Sequence, residues 1–177
     1  IVITGGVVHS GVAKFTKGTT TVSTATFVGK TTVGVTTVNP HIYKTTSTGG
    51  SQLTLLPPSH GSFVERDGNQ IAVLVSGLHT VTTSINASMS EALFSFDIIA
   101  EIERKLGIIP KTTLADKVQW VKDNVETLVT KWHGFGSSVG GNKATVTYWK
   151  NGTSWEVFAG WSHTNGTVTP ITINFNS

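Results

Sequence analysis

Gly136-Ser137-Ser138-Val139-Gly140 spells G-x-S-x-G, the pattern that places a nucleophilic serine on a sharp strand-to-helix turn beneath an oxyanion hole. Here a helix is expected before it and a strand after it, the reverse of the context the motif needs. Only Glu156 and His163 follow as triad partners, and the chain is short for that fold. The segment reads as a Gly-rich link. His9, His41, His60, His79, His133 and His163 stand apart, with no H-x-H, H-x-x-x-H or H-E-x-x-H spacing between any two. They read as surface or turn residues, so neither a metal nor a cofactor is expected. Carboxylate pairs could hydrolyse glycans. Yet Glu101 and Glu103 point different ways on a helix, and Glu65 and Asp67 straddle a turn. No catalytic residue is assigned, and the chain reads as a non-enzyme.

Aromatic chemistry is the remaining candidate. All five Trp residues follow position 119. A two-residue turn at Asn151-Gly152 pairs Tyr148 with Trp155, Val146 with Val157 and Ala144 with Ala159 on one apolar face. Trp149 then falls on the other face with Phe158, and these two are the candidate ligand-binding residues. An indole stacks on sugar faces, and nearby Thr and Asn supply hydrogen bonds. The competing reading is a contact between sheets or subunits. Asn86, Asn151 and Asn165 each open an N-x-S/T triplet, which a chain this rich in Ser and Thr produces by chance.

Composition narrows the classes. Of 177 residues, 13% are charged and 38% hydrophobic, with 19 Gly and abundant Thr, which suits a β-rich protein. The net charge of +3 is spread thinly. Lys14, Lys17, Lys30 and Lys44 stand singly with no acid before Glu65, which suits an acidic partner surface but lacks a nucleic-acid binder's basic stripe. Cysteine is absent, excluding disulfides and thiolate zinc sites. No apolar run approaches the ~20 residues that span a bilayer, and IVITGGVV carries no signal-peptide pattern. Neither nucleic acid nor membrane is an expected partner.

The elements that must position these residues fall into three stretches. Residues 1–87 read as short strands (IVITGGVV, TVSTATFVG, TTVGVTTV, QLTLL, IAVLVSG, HTVTTSI), with a hairpin turn at Asp67-Gly68. Residues 88–131 read as a helical hairpin holding 13 of the 23 charged residues. Its first helix is expected to open on a Ser88/Glu91 capping box and to stop at Gly107 before Pro110. Thr113 and Asp116 should cap the second helix. Leu114, Val118, Val121, Val125 and Leu128 follow at spacings of 4, 3, 4 and 3. That is a heptad seam, compatible with two or three strands, although it also suits an amphipathic helix laid on a sheet. Residues 132–177 read as a Trp-rich antiparallel sheet. There Ile171, Ile173 and Phe175 fall opposite the first hairpin's apolar side, so either a bulge shifts the register or both faces of the sheet are covered, as neighbouring copies in an oligomer would do. The fold class is α+β, mainly β: an N-terminal antiparallel β module, a central helical hairpin able to form a trimeric coiled coil, and a small C-terminal antiparallel sheet.

KLGIIPKTTLADKVQWVKDN, from Lys105 to Asn124, resembles the helix-turn-helix blocks of head-fibre and other fibre proteins of tailed bacteriophages. WHGFGSS with GNKA, from Trp132 to Ala144, resembles small β tips of phage surface proteins. The resemblance covers about residues 100 to 165 and includes no catalytic motif. It implies a virion-surface structural protein, a capsid decoration or head-fibre subunit. Residues 1–87 would dock on a major capsid or tail protein. The seam would build a homotrimer, and the tip would face outward, towards a host surface glycan in one version. A fibre carries several stalk blocks and this chain has one, so a compact knob is the expectation. The alternatives are a carbohydrate-binding receptor protein of the tail and an extracellular filament subunit whose strand IVITGGVV pairs with the next copy.

Overall fold

The computed structural model describes residues 2–4, 7–17, 20–46, 52–72, 79–125, 127–136, 144–150, 152–157 and 169–176. Along the chain come β1 (Val2–Thr4), β2 (Val7–Lys17), β3 (Thr20–Thr26), β4 (Ile42–Thr46), β5 (Phe63–Glu65) and β6 (His79–Thr80). Then come β7 (Glu91–Ser95), α1 (Ile98–Leu106), α2 (Leu114–Asn124), β8 (Thr127–Phe135), β9 (Thr145–Lys150), β10 (Ser154–Val157) and β11 (Thr169–Asn176). The chain is α+β and mainly β, and its strand pairs are antiparallel.

Strand order separates the fold from the three-stretch expectation. One sheet runs β10-β9-β1-β7-β4-β5, the other β11-β8-β2-β3, with β6 also on β2. Each sheet therefore joins strands from both ends of the chain. Val2 pairs with Leu93 on one side and Thr147 on the other. Boundaries at 87 and 131 do not divide one hydrogen-bonded sheet from another. A β module and a β tip are indistinguishable from two interleaved sheets in one dimension, because pairing is chosen by contacts remote in sequence.

Aromatic packing joins the layers. Tyr43, Ala92, Phe94 and Val146 of the first sheet form one buried cluster with Trp132 of β8, Phe27 just after β3, Ala144 and Ile71. Tyr43 stacks on Phe94 at 5.1 Å, and Phe27 meets both edge-on at 6.3 and 5.9 Å. Offset and edge-to-face contacts align ring edges with ring faces, and so fix side-chain geometry beyond area burial. A second cluster, Phe63 and Leu93 with Leu55, Leu56 and Trp155, covers the first sheet's other face. β7 is thus apolar on both sides, which is how a central strand reads.

Several local expectations are corrected. Glu91 is not a helix cap but a buried residue of β7, and α1 is capped instead by Asp97, whose carboxylate accepts from Ala100 N–H. The ALF run of β7 outweighs the capping signal because both its faces are buried. Residues 31–38 form turns and bends rather than a strand, and only Gln52 of QLTLL makes a β-bridge, to Met89. Asp67-Gly68 is not a hairpin turn. Asp67 caps a 3-10 turn, Gly68–Ile71, and Gly68 is required because a Cβ there would meet Lys30 Cβ at 2.7 Å. Residues 73–77 of IAVLVSG lie outside the described residues.

The C-terminal register also shifts by one residue. Trp149 stands opposite Trp155, and Tyr148 opposite Glu156. The connection is a three-residue loop in which Gly152 takes φ +74°. β11 belongs to the other sheet, where Ile171, Ile173 and Phe175 stand in register with Trp132, Thr130 and Leu128. β11 therefore does not extend the β9–β10 hairpin as the sequence register suggested. The Asn165-Gly166 turn lies outside the described residues. Among the described residues, no helix is long and apolar enough to cross a membrane.

Candidate functional site

The helical hairpin is built by local signals and fixed by few long-range ones. Gly107, at φ +98°, ends α1 as the sequence predicts. Thr113 Oγ1 accepts from Asp116 N–H at 3.1 Å and donates to the Asp116 carboxylate at 2.8 Å, capping α2. Lys117 ties α2 to α1 through Glu103 at 2.6 Å, and donation from Lys117 holds the Glu103 carboxyl below its ordinary pKa. α2 spans eleven residues and buries none of them.

The predicted seam is therefore divided. Leu114, Val118 and Val121 lie on α2, Val125 is the C-cap in extended conformation, and Leu128 lies on β8. Val125 and Leu128 pack inside the chain with Ala25, Phe96 and Ile98. Five positions at heptad spacing do not make one helical face here, because the helix stops after the third. Leu114 is 71% exposed and Val118 is also exposed. Near them Ile108 is 86% exposed while Ile109, beside it in sequence, is buried.

An apolar groove of about 340 Å³ opens between the start of α1 and the middle of α2, lined by Phe96, Ile98, Ile99, Val118 and Val121, with Asp97 and Lys122 at its rim. Sequence reading missed Ile108 and this groove. The double Ile in a turn was a visible signal, but nothing local says which of the two points outward.

Trp149 and Trp155 are brought together, with ring centroids 5.0 Å apart at 67°. Both are partly buried, and Trp155 Nε1 donates to Leu56 C=O at 2.8 Å. The expected placement of these two indoles on opposite faces is corrected by the one-residue register shift. Phe158 lies outside the described residues, as do Ser137–Gly140 and His163. Behind the indoles, Lys150 and Tyr148 donate to Glu156 at 2.7 and 2.5 Å. Those bonds lower the Glu156 pKa and raise those of Tyr148 and Lys150.

Buried ionisable groups serve the fold. Lys30 is fully buried, donating to Val35 C=O at 2.5 Å and lying 3.3 Å from Glu65, so it is no part of a basic surface. His41 is buried between Phe27 and Phe96. Its Nδ1 accepts from Asp97 N–H at 3.2 Å, and its Nε2 lies 3.7 Å from Glu101, which Arg104 holds. Desolvation lowers the His41 pKa, against the opposing pull of Glu101 and Asp97. His79 Nδ1 meets Tyr43 Oη at 2.5 Å, and His60 Nδ1 accepts from Ser62 N–H at 3.2 Å. His133 is partly buried on β8. Glu65 joins the Lys30 pair, while Asp67 caps the 3-10 turn. Glu101 is buried, whereas Glu103 faces α2. Among the described residues no group of three His, Asp or Glu side chains could hold a metal ion.

Neither family models, nor curated proteins, nor solved structures give a match to this chain.

Proposed function

We propose that this chain is a non-enzymatic, self-assembling structural protein of a bacteriophage particle's surface, a capsid decoration or head-fibre subunit acting as a homotrimer. The observation that carries the self-assembly is α2. It buries no residue of its own, and Leu114 and Val118, one turn apart along it, are exposed, as is Ile108 in the turn before it. Short helices in water draw their stability from packing an apolar face rather than from propensity, and a contiguous exposed apolar patch marks an interaction surface. The placement on a virion rests on the resemblance of Lys105–Asn124 to phage fibre blocks. Sedimentation equilibrium of the chain tests the assembly. A mass three times 18.8 kDa is expected at micromolar concentration, and a monomer throughout that range overturns the reading.

A glycan-binding tail protein is the second reading, favoured by the partly exposed Trp149 beside Trp155. Glycan-array binding lost in Trp149→Ala, with the mass unchanged, would favour it. The filament reading has less support. β1 is hydrogen-bonded on both sides within its own chain and offers no free edge.

A further inference from the structure

We infer that copies of this chain associate head to tail, the apolar tip of one helical hairpin seating in the groove at the base of the next. This rests on the self-assembly reading and specifies its geometry. The tip is Ile108 with Leu106 and Leu114, all exposed, at the closed end of the hairpin. The groove lies at the open end, with Phe96 and Ile98 as its floor and Ile99, Val118 and Val121 as its walls. Tip and groove are different surfaces: Ile108 follows the last turn of α1, whereas Phe96, Ile98 and Ile99 lie at its start. A contact between unlike surfaces is heterologous and builds a ring when its rotation closes. A homotrimer is then a three-membered ring of hairpins rather than three parallel seams.

Size and charge name a second copy as the occupant. A cavity of about 150 Å³ takes up a benzene-sized group, so the groove's 340 Å³ accommodates Ile108 together with Leu114. Exposed Lys105, Lys111 and Asp116 surround the tip. Exposed Asp97, Asp123 and Lys122 surround the groove. The tip has two cations to one anion and the groove two anions to one cation, a partial complementarity that favours one register. The seam geometry fits less well, because Val125 and Leu128 are already engaged in the chain's own core.

The test uses two variants of the whole chain, followed by sedimentation equilibrium. Ile108→Asp disables the tip at a position with almost no intramolecular packing, and Val118→Asp disables the groove wall. Each alone should weaken association by roughly thirtyfold or more, as loss of a central apolar anchor does. Mixed, they should form a one-to-one dimer, since one intact tip meets one intact groove. A far-UV circular dichroism spectrum like the wild type's and a cooperative melt establish that each variant is folded, since loss of assembly by itself lowers the melting temperature. If Val118→Asp shows no cooperative melt, Ile99→Asp replaces it in the same mixing experiment.

A mixture that stays monomeric overturns the head-to-tail contact. So does an Ile108→Asp chain that assembles like the wild type while Val118→Asp does not, the pattern of a seam along α2. In both of those outcomes the wild type still assembles and the proposed function stands. A monomeric wild type removes both.

Discussion

Glu91 and Trp155 hold the backbone of the same residue through its two peptide groups: Glu91 Oε1 accepts from Leu56 N–H at 3.2 Å, while Trp155 Nε1 donates to Leu56 C=O at 2.8 Å. Leu56 belongs to a strap, residues 52–58, tied again where Met89 N–H donates to Gln52 C=O at 2.9 Å. The strap shields Leu93, Phe63 and the carboxyl of Glu91 itself. Glu91 Oε2 is buried without a hydrogen-bond partner. The strap therefore closes best over a neutral acid.

Stability should fall as pH rises across this site. Burial pushes the Glu91 pKa from 4.5 up to about 7, against the small opposing effect of the Leu56 N–H. Between those values the folded chain holds a proton that the unfolded chain has lost. The stabilisation is complete below about pH 4.5, declines through pH 7 and is then constant, a change on the order of 3 kcal/mol. Glu91→Gln should remove this slope. Urea midpoints at pH 5 and pH 8 for both chains measure it, and an unchanged difference would refute the assignment.

His41 sets the opposite limb. Its pKa lies below 6.5, chiefly through burial, so folding loses stability as pH falls below 6.5 towards the lowered value. Glu101 and Asp97 favour its protonation, while Arg104 and Lys30 oppose it. His41→Phe keeps an aromatic ring between Phe27 and Phe96 but leaves Asp97 N–H without its acceptor. It should cost about 1–3 kcal/mol and flatten the acid limb in the same midpoint series.

Gly68→Ala should destabilise by about 1–3 kcal/mol, the usual cost of overpacking. The new methyl would meet Lys30 Cβ at 2.7 Å and Phe27 Cβ at 3.3 Å, pressing a buried ion pair into the aromatic cluster. Gly61→Ala has open space and is the control, expected within about 0.5 kcal/mol of the wild type. Equal midpoints for the two variants would sink this account.

Thr113→Ala should unwind the first turn of α2 at a cost of about 0.5–2 kcal/mol. With no buried residue to hold it, α2 depends on that cap and on the Glu103–Lys117 pair. Amide exchange over 114–124 should quicken in the variant while β7 stays protected. Protection of α2 equal to that of β7 in the Ile108→Asp chain, whose tip is disabled, would contradict this.

The local devices were legible in the sequence. The Thr113 cap, the Gly107 stop, the break before Pro110 and the β-rich composition each depend on a few neighbouring residues, so their chemistry is written where they act. The site was half legible for the same reason. Heptad spacing located Leu114 and Val118, but it could not show that α2 ends at Asn124 and returns Val125 and Leu128 to the core.

The rest was decided by tertiary structure. Val2 chooses Leu93 and Thr147, β11 joins β8 instead of the hairpin before it, and Lys30 closes on Glu65. Each depends on surfaces remote in sequence and on which of two faces a one-residue shift exposes, a choice that alternation leaves open. The Ser88/Glu91 signal failed for that reason: partners on both sides of β7 made Glu91 a buried strand residue. Sequence determined that this chain would be mostly sheet with one capped helical hairpin. Only the packed fold decided that the hairpin keeps Ile109 for itself and turns Ile108 outward.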